Sequence, residues 1–305
     1  MKNKYVFVAL MLCVILVLGM GLTNIYVNKT GEKEHRDSFT IVTSFYPMYV
    51  AALNIVGDTD SVRLMNLSEP QTGCLHDFQL TPEDMKLLAG ADVFVVNGGG
   101  IEAFMADVAK AYPKLSIVEA CEYLELLTDG DETNAHAWMS VPMYRDMVQS
   151  LALALGEADA AHRAQYEANA KEYDGKLEAL EKRRQALAEK ARGTDVILFH
   201  EAYDYIAYDY GMQVQYVMDL DEERQVSAGE VADVLAAIRQ DRVSLILAEE
   251  LYGRSMAETV QKEADVEVIY LDPLNRGSYE ADSYLVGMEH NIELLEAYFN
   301  ARQGR

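Results

Sequence analysis

The sequence predicts an α/β fold of two similar lobes, each with a mostly parallel four-stranded sheet, joined by a long linking helix. Three observations carry this reading. Between residues 38 and 122 short β-type runs alternate with helix-type runs, residues 142–191 read as helix with one break, and from Thr194 the alternation resumes. Strands separated by helices need crossover connections, and crossovers produce parallel sheets with helices packed on their faces.

Each element follows from its own residues. SFTIVTSF is the first strand, and Pro47 in PMYVAALNIVG suits the first turn of the next helix. SVRLMNL is the second strand. In TPED, Thr81 is a good N-cap, Pro82 fits the first helical position, and Asp84 closes a capping-box-like pair. ADVFVVN, the helix IEAFMADVAKAY and the strand LSIVEA complete the first set. In the long helical region Tyr166, Ala170, Tyr173, Leu177, Leu180 and Leu187 recur mostly at three- and four-residue steps. They form one apolar stripe on a helix of about nine turns. The second set is DVILF, the helix EAYDYIAYDY stopped by Gly211, VQYVM, a helix from Ser227, VSLILAE, another helix, VEVIYL and a final helix from about Ala281.

The 305 residues are half hydrophobic, so a folded body is expected. Against 50 acidic residues stand only 26 Lys and Arg, a net charge of -24 that opposes nucleic acid and anionic lipid and welcomes a cation. Lys2 and Lys4 precede an uncharged apolar run from Tyr5 to Leu22, long enough for a signal peptide or one membrane span. Cys13 follows Leu12, where a lipidation site wants a small residue, so residues 1–27 are expected to be an uncleaved anchor with the body outside the membrane. If the segment is cleaved, the body is secreted. Residues 28–37 read as a polar tether, 38–158 as the first lobe, 159–192 as the linking helix and 193–305 as the second lobe. Cys74 and Cys121 are an even pair in a compartment where disulfides persist; a bridge between them and two separate buried thiols are both open.

In open parallel α/β sheets, ligands bind beyond the carboxyl ends of the strands. His76 lies in the loop after SVRLMNL, His136 in NAHAW after LSIVEA, His200 directly after DVILF, and Asp272 directly after VEVIYL. Taken singly, each reads as an ordinary loop or turn residue. The coincidence of all four at strand ends favours a site, and three neutral imidazoles with one carboxylate suit a borderline ion such as zinc. Glu201, Glu249 and Glu250 lie close enough in sequence to stand beside such a site, or to be solvated helix-start acids. The run NGGG, Asn97–Gly100, reads as a tight strand-to-helix turn, since it lacks dinucleotide-binding spacing.

With these residues in view, the chain resembles the metal-specific solute-binding proteins of ABC importers, of the zinc and manganese type. The resemblance covers nearly all of Ser38–Leu295 and rests on SFYPMYVAALNIVGD, HDFQLTPEDMKLLAGADVFVVNGGGIEAF, NAHAWMS, HEAYDYIAYDYGM and LDPL. It implies His76, His136 and His200 as imidazole ligands and Asp272 as the carboxylate. Manganese-type members carry a glutamate where His200 stands, so His200 argues for Zn²⁺ over Mn²⁺. Asn134-Ala135 occupy the place of the family's Asp-Pro, which predicts a looser loop before His136. The histidine-rich acidic loop of many zinc-type members is absent.

The resemblance implies a monomeric binding protein, not an enzyme, that captures Zn²⁺ outside the cytoplasmic membrane and delivers it to an ABC permease. A linking helix resists bending, which predicts small lobe movements. Two rivals come from other classes. A zinc hydrolase would need a general base, for which Glu201 is the nearby acid, and a surface adhesin would use the tether.

Overall fold

Two four-stranded sheets share one strand order, in a computed structural model that describes residues 38–70, 72–73, 75–76, 78–130, 132–220 and 224–303. The first half runs β1 (Phe39–Thr43), α1 (Tyr46–Val56), β2 (Val62–Asn66), α2 (Pro82–Ala89), β3 (Val93–Val96), α3 (Met105–Ala111) and β4 (Ser116–Glu119), ordered β2-β1-β3-β4 across the sheet. A short hairpin, β5 (Thr128–Asp129) and β6 (Glu132–Thr133), and a 3-10 turn at Ala137–Met139 lead into α4 (Val141–Ala158) and α5 (Arg163–Ala191). The second half begins with β7 (Asp195–Leu198), a 3-10 turn at Glu201–Tyr203, α6 (Asp204–Tyr210) and β8 (Gln213–Val217). It continues through α7 (Ala228–Asp241), β9 (Leu245–Ala248), α8 (Glu250–Glu263) and β10 (Glu267–Tyr270) to α9 (Ser283–Gln303). Read from β8, its sheet order is β8-β7-β9-β10, the order of the first sheet repeated.

Both sheets are parallel and four-stranded. Their central strands β3, VFVV, and β9, LILA, are buried at every position, as expected where helices cover both faces. Parallel register is set by pairs such as Ile41 with Val93, Val93 with Ser116, and Val196 with Leu245. In each sheet the strand order reverses between two central strands, β1 and β3 in one and β7 and β9 in the other. Clefts open at the carboxyl ends of such pairs.

The predicted stripe on α5 is buried at Tyr166, Ala170, Tyr173, Leu177, Leu180 and Leu187. It packs α5 against α4 and also against α1 and α9, near opposite ends of the chain. Burying one such leucine contributes roughly 1.5–3 kcal/mol. Arg183 reinforces the contact with α9 through Glu289 and Glu296, at 2.6 and 2.9 Å.

Thr81 and Asp84 form the expected capping box, with the Thr81 N–H donating to Asp84 Oδ2 at 2.8 Å and the Asp84 N–H donating to Thr81 Oγ1 at 3.2 Å. Ser227 and Glu230 repeat it at the start of α7. One helix is shorter than its periodicity predicts: IEAFMADVAKAY becomes helical only from Met105. Before it, Glu102 folds back and accepts the N–H groups of Asn97 and Gly98. No helix among the described residues is long and apolar enough to cross a membrane. The expected anchor at 1–27 and tether at 28–37 lie outside the described residues, as does Cys74.

Candidate metal centre

Among the described residues one group gathers potential ligand atoms within 4.8 Å of one another: His76, His136 and Glu201. His76 lies on the loop after β2, half exposed at the mouth. That loop is tied at its strand end. The Gly277 N–H donates to the Pro70 carbonyl at 3.0 Å, and Tyr279 donates its hydroxyl to the Ser68 carbonyl at 2.7 Å. His136 precedes the 3-10 turn and is fully buried. Glu201 opens the turn after β7, its Oε1 3.6 Å from His76 Nε2 and 3.4 Å from His136 Nδ1. The His76 and His136 rings are 5.5 Å apart between centroids.

His200 stands behind this group, fully buried, its ring 5.2 Å from that of His136 and nearly perpendicular to it. Glu249, the residue after β9, places Oε2 3.5 Å from His200 Nδ1, while Arg276 donates to its other oxygen at 3.2 Å. The second sheet's cleft is therefore floored by a buried carboxylate facing an imidazole. Burial holds the His136 imidazole well below its usual range, and the neighbouring His200 and His76 rings push it further down. It stays neutral, which is the form that binds metal. The site opens into a groove of about 930 Å³ flanked by Thr133, Asp204 and Tyr208.

Not all predicted positions meet. His200 and Asp272 stand outside the three-residue group, which Glu201 joins instead. The Asp272 carboxylate turns back on its own loop, Oδ1 accepting the Leu274 N–H at 2.8 Å. Asn291 brackets it by accepting the Asp272 N–H and donating to its carbonyl, each at 2.8 Å. Burial raises its carboxyl above the usual range. Leu274 has a φ of 51°, so this turn needs the local hydrogen bond that aspartate supplies. Glu250 is exposed and pairs with Arg254, outside the site.

The first sheet's cleft is filled differently. Glu102 is 3% exposed and accepts from Ser44 Oγ at 2.8 Å, the Asn97 N–H at 2.7 Å and the Gly98 N–H at 3.1 Å. The NGGG turn thus closes on the chain's own carboxylate. Gly98, Gly99 and Gly100 all have positive φ, and a Cβ on Gly99 would press against Ala135. Burial pushes the Glu102 carboxyl up to about 7 despite three donors. Asn97 Nδ2 donates to the Ala135 carbonyl at 2.9 Å, which fixes the chain just before His136. Cys121 is a free, buried thiol, its Sγ 3.7 Å from Asn97 Oδ1, and Cys74 lies outside the described residues. Burial and the nearby Glu102 and Glu119 push that thiol up to about 12, leaving it inert.

The looser loop expected at Asn134-Ala135 is not found, because every polar group of Asn134 is hydrogen-bonded. Sequence reasoning also missed Glu102 and Arg276. For Glu102 the available signal was a carboxylate placed just after three glycines, where exposed N–H groups invite an anion.

The region 41–298 matches the family described as ZnuA, Zinc-uptake complex component A, periplasmic. Among relatives, the High-affinity zinc uptake system protein ZnuA of Bacillus subtilis (strain 168) is 26% identical over 305 residues, covering 93% of this chain and 94% of that protein. The solved structure of the solute-binding protein FpvC from Pseudomonas aeruginosa in complex with Mn²⁺ aligns with a TM-score of 0.78 at 26% identity, over 87% of this chain and 99% of that one. Zn(II)-bound AdcA from Streptococcus pneumoniae aligns with a TM-score of 0.74 at 26% identity, over 85% of this chain. The match spans 57% of AdcA's length.

Proposed function

We propose that the chain, which belongs to the ZnuA family of metal-binding solute-binding proteins and not to a family of enzymes, captures Zn²⁺ between its two halves for delivery to an ABC permease. The observation that carries the reading is the convergence on buried His136 of the His76 ring, the His200 ring and the Glu201 carboxylate. Neutral imidazoles with a carboxylate suit zinc at bond lengths of about 2.0–2.2 Å. His76, His136 and His200 are the imidazole ligands in this reading. Glu201 supplies the carboxylate as the loops stand, and Asp272 takes that place if its turn releases Leu274.

Zinc is cargo here, so it must leave as well as bind. Glu201 and His76 at the exposed mouth give the ion an exit, while His136 and His200 form a floor that stays in place. The halves are joined across the cleft by several bonds, among them Tyr46 Oη to Ser283 Oγ at 3.0 Å and Tyr284 Oη to the Trp138 carbonyl at 2.7 Å. Release by local loop movement fits this better than wide opening. Manganese is the second reading, and the Glu201 oxygen within the group favours it, since harder ions prefer oxygen. The protein acts outside the cytoplasmic membrane, as a monomer, in both readings.

The test strips metal from residues 38–305 and titrates Zn²⁺ and Mn²⁺ into wild type and His200→Ala. Tight zinc binding by wild type, weakened in the variant, supports the reading. Binding of neither ion by wild type refutes it, and unchanged zinc binding by the variant removes His200 from the site. Ester or peptide turnover by the zinc-loaded protein would revive a hydrolase.

A further inference from the structure

We propose that Asn134 is a positioning residue that fixes the His136 proton on Nδ1 and clamps the Glu201 turn beside it, so that a neutral amide at this position sets metal affinity. The inference rests on the metal-capture reading. Asn134 is 5% exposed, and its backbone is held on both sides, its N–H donating to the Leu127 carbonyl at 2.9 Å and its carbonyl accepting from Tyr205 Oη at 2.6 Å.

The side-chain amide has only one workable orientation. On one side lie two acceptors, the Glu201 carbonyl at 2.8 Å and Asp204 Oδ2 at 3.3 Å, so Nδ2 must face them. Oδ1 then faces His136, 3.1 Å from its backbone N–H and 2.9 Å from ring Nδ1. An amide oxygen only accepts, so the neutral ring carries its proton on Nδ1 and keeps the Nε2 lone pair for a metal. Glu201 Oε1 lies 3.4 Å from the same Nδ1, beyond the range of a firm hydrogen bond, so the amide oxygen holds that proton.

The two ends of the amide sit in different halves of the fold. Its oxygen orients a ring on the loop after β6, and its nitrogen grips the turn after β7, where the Glu201 carbonyl also accepts the Asp204 N–H that closes the turn. An aspartate would serve His136 equally well. On the other side it would set an oxygen against two acceptors and release the Glu201 turn. The amide therefore does two jobs that one substitution can separate.

The test uses the full-length chain with ¹⁵N-labelled histidine. Nitrogen chemical shifts of the metal-free protein report the His136 tautomer, assigned by difference against His136→Gln, and competition with a chelating dye reports zinc affinity. The expected wild-type signature is a proton on Nδ1. Asn134→Asp keeps that signature but binds zinc about 10–100-fold more weakly, and Asn134→Ala loses affinity together with the pure Nδ1 signature. A wild-type ring protonated on Nε2 overturns the inference, as does zinc binding within twofold of wild type in both variants. If Asn134→Ala does not fold, Asn134→Asp, close to asparagine in volume, still decides. If wild type binds no zinc, the metal reading fails, while the tautomer decides whether Asn134 fixes the ring.

Discussion

The indole N–H of Trp138 donates to the carbonyl of Pro273 across 2.9 Å, joining the turn that carries His136 to the loop that carries Asp272. Trp138 is fully buried, with Phe45 edge-on at 5.1 Å and the His136 ring at 4.9 Å. Its bond crosses between the halves, so it both stabilises the fold and holds the floor of the site. Trp138→Phe keeps most of the packing and leaves a buried carbonyl unpaired. Chemical denaturation should show a loss of about 1–3 kcal/mol, and a smaller loss would mean that water or local shifts satisfy Pro273.

The buried Glu102 carboxyl gives stability a pH signature. Its folded-state value is raised to about 7 from an ordinary 4.5. The folded protein thus holds a proton that the unfolded chain has lost, and stability falls as pH rises from about 4.5 through 7. The decline amounts to roughly 3 kcal/mol for this group. Buried His136 acts oppositely over part of the same range, because its value is lowered. The difference between wild type and Glu102→Gln therefore isolates the carboxyl. Between pH 5 and 8 the denaturation midpoint of wild type should drop relative to that of Glu102→Gln, and an identical shift in the two proteins would contradict the assignment.

Acid should also weaken metal capture. Imidazole and carboxylate ligands bind deprotonated, so protons compete with zinc as pH falls below about 6. Burial makes His136 resist protonation, so its own share in this competition is small. Zinc titrations at pH 7.5 and 5.5 should show a clear loss of affinity at the lower value, and an unchanged constant would argue against histidine ligation.

The capping box at Thr81 ends the loop that presents His76. Thr81→Ala removes a side-chain cap and should cost about 1 kcal/mol of stability. Zinc affinity should fall only slightly, since other bonds to Ser68 and Pro70 hold the same loop. A large loss of affinity would show that the α2 start, not the strand end, places His76.

Much of this was legible in the chain. The strands VFVV and LILA are continuous apolar runs because both faces of each sheet are covered, and the α5 stripe repeats at helical spacing because it packs against neighbouring helices. His76 and His136 stand out in the sequence because strand ends are where loops converge. What escaped depends on rotation and on short-range bonds. His200 and Glu201 are adjacent, and only the 3-10 turn decides that Glu201 faces the mouth while His200 faces Glu249. At Asp272 the sequence places a carboxylate at a strand end but does not reveal the bond it accepts from the Leu274 N–H two residues on. The β5–β6 hairpin has two residues per strand, too few for alternation to register.

The central claim is that histidine nitrogen and carboxylate oxygen hold the ion, and zinc K-edge X-ray absorption on the loaded protein tests it most directly. The account predicts one shell of nitrogen and oxygen at about 2.0–2.1 Å with outer-shell scattering from three imidazoles. A sulfur shell at about 2.3 Å, or imidazole scattering that survives unchanged when His76 and His136 are both replaced by alanine, would contradict it.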